Sequence, residues 1–242
     1  MSAYDCCFKT IFHSGEPKGK HTDFLGYDTY QTGDKNSSKI IVILTDVFGH
    51  RYNNVLLIAD KLAEAGYYVV IPDYLEGGNV TFSQNDPQYA AKIQKWLDYH
   101  NLEKTKPIVD DFFKKLKDSA KYKFIGVTGY CFGGRYAIQQ ISDTGYADAA
   151  AVAHPSLVQI EEIQSVSKPL LISAAEIDKT FTIELRHQSE KVLAEKGAIY
   201  QIDLFGGVVH GFAVRGDLSD ARIQYSMNRV ISDQIYWFNF YS

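Results

Sequence analysis

The 242-residue chain is poor in cysteine (three), methionine and tryptophan (two each) and proline (six). Three cysteines cannot close a disulfide framework, and their spacing is not that of a zinc site, so no metal is expected and a reducing compartment suits the chain. Stability must come from a packed core, which a chain of this length can build by burying roughly 70–75% of the surface its unfolded form exposes. No apolar run approaches the roughly 20 residues of a membrane span; the longest, Ile40 to Leu44, is strand-sized. Positive charge is not in excess either. The formal net charge of −4 argues against a large phosphate-binding footprint, and Lys114, Lys115 and Lys117, with Lys121 and Lys123, read as a solvated helix end. The first residues lack the basic start and apolar stretch of a secretory signal. Repeats and low-complexity tracts are missing as well. These absences predict a cytoplasmic protein with neither a nucleic-acid nor a membrane partner.

What is present is an alternation of apolar runs and helical patterns. Ile40 to Leu44 is a continuous β-branched run of the kind found in strands buried on both faces. Asn53 or Asn54 can cap a helix with Val55, Ile58, Ala59 and Leu62 on one face and Gly66 at its end. Tyr67 to Ile71 reads as the next strand, stopped by Pro72. Helical patterns cover Tyr89 to Tyr99 and Pro107 to Lys117. Further strands are predicted at Phe124 to Thr128, Ala149 to Ala153, Leu170 to Ala174 and Tyr200 to Phe205, and a closing helix carries Ile223, Met227, Val230, Ile231 and Phe238. Such alternation predicts one α/β domain over residues 1–242, a mostly parallel, doubly wound sheet with helices on both faces. Residues 1–38 break the rhythm and are expected to form an edge hairpin and connecting loop.

In open parallel sheets, ligands bind beyond the carboxyl ends of the strands. The residues there include Asp46-Val47-Phe48, Asp73-Tyr74, Tyr130-Cys131-Phe132, His154-Pro155, Glu176-Ile177-Asp178 and His210-Gly211-Phe212. The strongest signal is Gly129-x-Cys131-x-Gly133, between an apolar strand and a helix-compatible run. That is the context of a nucleophile elbow with cysteine in the usual serine position. A helix N-terminus behind Cys131 favours thiolate. A nucleophile needs a base, and a base needs an orienting acid. His210, in a glycine-rich loop after the last strand, is the candidate base. Asp178 is the preferred acid, with Glu176 as its rival, and the order Cys…Asp…His is that of α/β-hydrolases. His154 could line the pocket or fill a structural role. Cys6 and Cys7 lie off the strand-end rim and read as packing residues. Neither a dinucleotide-binding nor a phosphate-binding glycine loop is spelled out.

These residues resemble those of the dienelactone hydrolase (carboxymethylenebutenolidase) family, particularly its fungal cytoplasmic branch, from about Lys39 to the C-terminus. The carrying segments are Ile43 to Gly49, Ile71 to Tyr74, Gly129 to Gly134 and His210 to Ala213. The resemblance implies an α/β-hydrolase fold and a Cys131–His210–Asp178 triad working without metal or organic cofactor. It also implies an oxyanion hole made by the backbone N–H groups of Phe132 and Val47. The bacterial enzymes carry a glutamate at the Asp46 position, in contact with the resting thiol, and hold a substrate carboxylate with two arginines. One arginine position falls near Glu76 or Gly77, where this chain has none; the other matches Arg215 with a one-residue offset.

The expected function is hydrolysis of small carboxylic esters or lactones, with Asp46, Phe48, Tyr74, Tyr130, His154, Phe212 and Arg215 around the substrate. A single arginine among several acids predicts that neutral esters are cleaved at least as well as an anionic dienelactone. Two other readings are a non-catalytic small-molecule-binding protein on the same fold and a redox-sensing thiol. Monomer and homodimer both fit the sequence.

Overall fold

The computed structural model describes residues 11–82 and 86–242; Cys6 and Cys7 lie outside them. An eight-stranded sheet forms the centre. Its strands are β1 (Lys20–Phe24), β2 (Tyr27–Thr32), β3 (Lys39–Leu44), β4 (Tyr68–Pro72), β5 (Phe124–Tyr130), β6 (Ala149–Ala153), β7 (Leu170–Ile177) and β8 (Tyr200–Val209). The order across the sheet is β1-β2-β4-β3-β5-β6-β7-β8. The six strands from β4 to β8 run parallel, and β1–β2 is an antiparallel hairpin added at one edge. The mostly parallel sheet is thus the expected one. Strands β3 to β6 are buried along almost their whole length, which is why they read as unbroken apolar runs rather than alternating ones.

Helices cover the sheet. They are α1 (Asn53–Glu64), α2 (Tyr89–Tyr99), α3 (Leu102–Asp118), α4 (Phe132–Gln139), α5 (Ile160–Gln164), α6 (Ile183–Glu195), α7 (Phe212–Arg215) and α8 (Ala221–Tyr241). Helices α1 and α8 pack together, as do α4, α5 and α6 in series. A buried polar chain fastens α8 to the central strands. The Tyr130 hydroxyl donates to Gln234 Oε1 at 2.8 Å, Gln234 Nε2 donates to Thr128 Oγ1 at 3.0 Å, and Thr128 Oγ1 donates to the Ala151 carbonyl at 2.7 Å. The side-chain polar atoms of Tyr130, Gln234 and Thr128 are all hydrogen-bonded, which offsets the cost of burying them.

Several boundaries depart from the sequence expectation, each for a local reason. Helix α1 is preceded by Tyr52, not capped by an asparagine. Asn54 instead spends its side-chain amide on the Ile11 and Val214 carbonyls, at 2.7 and 2.8 Å. It therefore ties the start of the described chain to the segment after β8. Helix α3 starts five residues before Pro107, because Asn101 accepts from the Lys104 N–H at 3.0 Å and caps it there. Strand β8 runs to Val209, past Phe205, where the glycine-rich stretch was expected to be loop. A bulge between Ala175 and Ile177 lets pairing resume at Ile177–Val209. His210 follows directly, its N–H donating to the Ile177 carbonyl at 3.1 Å.

Backbone packs closely under the β5–α4 turn. A Cβ added at Gly133 would stand 2.2 Å from the Leu44 carbonyl oxygen and 2.6 Å from that of Thr45. Both obstacles are backbone, so no rotamer change relieves them. Gly133→Ala is expected to cost about 1–3 kcal/mol or more. At roughly 2–4 °C per kcal/mol for a chain of this size, thermal unfolding followed by circular dichroism should show a clear drop in Tm. An unchanged Tm would mean that β3 and the turn are not in this contact.

Candidate active site

Cys131 follows β5 and is the N-cap residue of α4, with φ 51° and ψ −114°, a conformation that L-residues rarely adopt. Holding a non-glycine residue there costs on the order of 1–3 kcal/mol unless its surroundings over-determine it. They do. Its N–H donates to the Ala153 carbonyl at 3.3 Å, and its carbonyl accepts from the N–H groups of Gly134 (3.0 Å) and Ser156 (2.9 Å). The result is a sulfur presented at a helix N-terminus, 2% exposed. The following amide, Phe132 N–H, is the first of the helix, and Val47 lies on the adjoining β3 loop. Neither amide donates to a backbone carbonyl among the described residues.

Two strands deliver the remaining groups of the expected triad. Asp178, after β7, and His210, after β8, meet with Oδ2 and Nδ1 2.8 Å apart, and both side chains are essentially inaccessible. The second Asp178 oxygen accepts from Thr180 N–H (2.8 Å), Phe181 N–H (3.0 Å) and Thr180 Oγ1 (2.8 Å). Thr180 Oγ1 also lies 3.0 Å from His210 Nδ1, so the imidazole is held by two oxygens on one edge. Burial alone would push Asp178 upward, but the His210 bond and charge and the turn amides hold its carboxyl below the usual range. Glu176, the rival acid, is exposed and accepts from Gly207 N–H at 2.6 Å, away from the imidazole.

Burial opposes a charge on His210, yet the negative sulfur of Cys131 and the Asp178 bond outweigh it and raise the imidazole to about 10. The same coupling favours negative charge on the sulfur when the imidazole is protonated. With Nδ1 on Asp178, the imidazole also shares a side-chain hydrogen bond with Cys131. Ser156 Oγ lies 3.3 Å from the Cys131 sulfur. Neither Ser156 nor Thr180 stood out in the sequence. Ser156 directly follows the His154-Pro155 rim position, and a turn with His154 at φ 38° brings it to the sulfur.

The expected pocket residues divide. His154 is fully buried, 5.0 Å from the His210 ring and 5.7 Å from Phe212. Burial, with His210 and Arg215 nearby, depresses its basicity strongly, so it stands as a neutral imidazole. Tyr74 lies against Phe132, its hydroxyl donating to the Thr45 carbonyl at 2.6 Å. Phe48 stacks on Tyr52 and under the Arg215 guanidinium. Tyr130, by contrast, directs its hydroxyl to Gln234 on α8. Arg215 does not stand as a loose cation. It is 4% exposed and forms a buried ion pair with Asp46, Nε to Oδ2 2.8 Å. Burial and the Cys131 charge push the Asp46 carboxyl up, while Arg215 and the Phe48 amide pull it down.

The dienelactone hydrolase family model matches residues 27–242. Over 249 aligned residues the chain is 36% identical to hydrolase tropI of Talaromyces stipitatus, covering 100% of this chain and 97% of that protein. It is 32% identical to dienlactone hydrolase 1 of Gibberella moniliformis, covering 98% of this chain and 93% of the other. Among solved structures, the dienelactone hydrolase of Anabaena variabilis superposes with a TM-score of 0.67 over 94% of this chain and 99% of its own, at 12% identity, which speaks for the α/β-hydrolase fold. None of the helices described is long and apolar enough to cross a membrane. Matched by the family model over its sheet and strand-end residues, and by named hydrolases over nearly its whole length, the chain belongs to the dienelactone hydrolase family.

Proposed function

We propose that this hydrolase cleaves small carboxylic esters or lactones through a Cys131–His210–Asp178 triad. The observation that carries this reading is the buried relay from sulfur through imidazole to carboxylate, anchored by the 2.8 Å Nδ1–Oδ2 contact. The Cys131 thiolate attacks the ester carbonyl, and the tetrahedral oxyanion rests on the Phe132 and Val47 amides. Each such fixed donor is worth roughly 3–4 kcal/mol in the transition state. His210 Nε2 passes its proton to the departing alkoxide as the thioester forms. A water then loses a proton to His210, adds to the thioester and expels the thiolate, and the carboxylic acid leaves. A reducing, cytoplasmic setting would keep this thiol free. No step calls for a metal or an organic cofactor.

The acid assignment has a direct test. Asp178→Asn should lower kcat/KM for p-nitrophenyl acetate by about 10²–10⁴-fold, since the imidazole loses the partner that orients it and stabilises its charge. Glu176→Gln should change it little. The reverse pattern would move the acid to Glu176.

The substrate reading turns on Arg215. Because Asp46 already neutralises it, we propose neutral short-chain or aryl esters as substrates over anionic lactones. Arg215→Ala strips a buried carboxylate of its partner, at a cost of roughly 3–5 kcal/mol. The expected outcome is therefore a lowered Tm and a parallel loss of activity on matched neutral and anionic esters. A selective rise in KM for the anionic ester, with Tm unchanged, would instead make Arg215 a substrate contact.

A further inference from the structure

The elbow has a support that the triad does not include. The turn after β6, His154-Pro155-Ser156, folds over Cys131 and touches it three ways. The carbonyl at the end of β6, that of Ala153, receives the Cys131 N–H; Ser156 N–H donates to the Cys131 carbonyl; and Ser156 Oγ reaches the sulfur at 3.3 Å. Ser156 and Cys131 are 5% and 2% exposed. Two positive-φ residues, His154 at 38° and Leu157 at 61°, bracket Pro155 and Ser156. The turn sits directly on the glycines after the nucleophile, where a Cβ at Gly134 would lie 2.7 Å from that of Pro155. A rigid turn in this position fixes where the hydroxyl points.

We propose that Ser156 is a further catalytic residue, whose hydroxyl donates to the Cys131 sulfur and holds it in the resting, attacking position. The proposal rests on Cys131 being the nucleophile. A thiolate has no proton to give, so in this contact the hydroxyl is the donor and the sulfur the acceptor. The bond is strongest when the sulfur is charged. It weakens when the thioester forms and returns when the acyl group leaves, so it favours both ends of the cycle over the intermediate. The other titratable or charged groups around the sulfur are His210 backed by Asp178, Asp46 paired with Arg215, neutral His154, and Tyr74. Of these side chains His210 offers the sulfur a proton donor, and Ser156 adds a second that does not itself titrate.

The test is the pH profile of Cys131 reacting with 2,2′-dipyridyl disulfide, in wild type and Ser156→Ala. Thiolate attacks the disulfide, forms the mixed disulfide and expels one pyridinethiolate, which is followed by absorbance; mass mapping assigns the adduct. Removing one hydrogen bond from the anion should move the acid limb of the profile up by about one pH unit. A more basic thiolate is also a better nucleophile, with a Brønsted slope of about 0.4–0.5. The two profiles should therefore cross. Ser156→Ala should react about threefold more slowly than wild type on the acid limb and about threefold faster on the plateau. Coincident profiles would overturn the proposal. So would a uniform loss at every pH, which marks a distorted elbow rather than a lost donor. If wild-type Cys131 reacts only as an ordinary thiol, with its limb near pH 8.5, the nucleophile assignment itself fails and this role with it. A low-lying wild-type limb that Ser156→Ala leaves in place removes the role of Ser156 alone.

Discussion

Everything around the site depends on keeping Cys131 in a backbone conformation that its side chain disfavours. Three backbone hydrogen bonds from two directions hold it, from α4 and from the β6 turn. The strands beneath must approach closely for those bonds to form, which explains why the residue two positions later can carry no Cβ. The same turn that strains the backbone frees the Phe132 amide and exposes the sulfur to the helix N-terminus. In the proposed reaction, strain, oxyanion donor and thiol activation are thus consequences of one local geometry.

Around that turn the fold buries charge in two linked groups. His210 is pinned between Asp178 and Thr180 on one ring edge, and Asp178 in turn is satisfied by the turn that follows β7. Near the sulfur, Asp46 and Arg215 form a buried ion pair whose guanidinium lies over Phe48. Burial, joined by the charge of the sulfur, pushes the Asp46 carboxyl up against the pull of Arg215, and burial, joined by His210 and Arg215, lowers the basicity of His154. A buried charge that loses its partner is far more costly than one left paired. Each of these side chains is therefore constrained by the next, and Arg215 is held by Asp46 before any substrate arrives.

Much of this was legible in the residues. The alternation of β-branched runs with helical spacing carries the parallel sheet, because strands buried on both faces need apolar side chains throughout. Gly129-x-Cys131-x-Gly133 marked the elbow, and His210 and Asp178 stand at strand ends where the topology converges. What escaped depended on geometry with no local code. Ser156 reaches the sulfur only through a positive-φ turn, and Thr180 reaches His210 only because Asp178 shapes the loop between them. The bulge that extends β8 hides in a glycine-rich segment that reads as loop. Asn54 looks like a cap but is drawn to the Ile11 and Val214 carbonyls by tertiary packing. Arg215 offered a charge, and its distant partner Asp46 decided the meaning of that charge.

The central claim is covalent, and its most direct measurement is the mass of the intact protein, acid-quenched milliseconds to seconds after mixing with an activated acetyl ester. A transient increase of one acetyl group, mapped by peptide fragmentation to Cys131 and absent in Cys131→Ala, is the expected result. Full turnover of the ester with no acyl adduct at any time, or an adduct that persists in Cys131→Ala, would contradict the account.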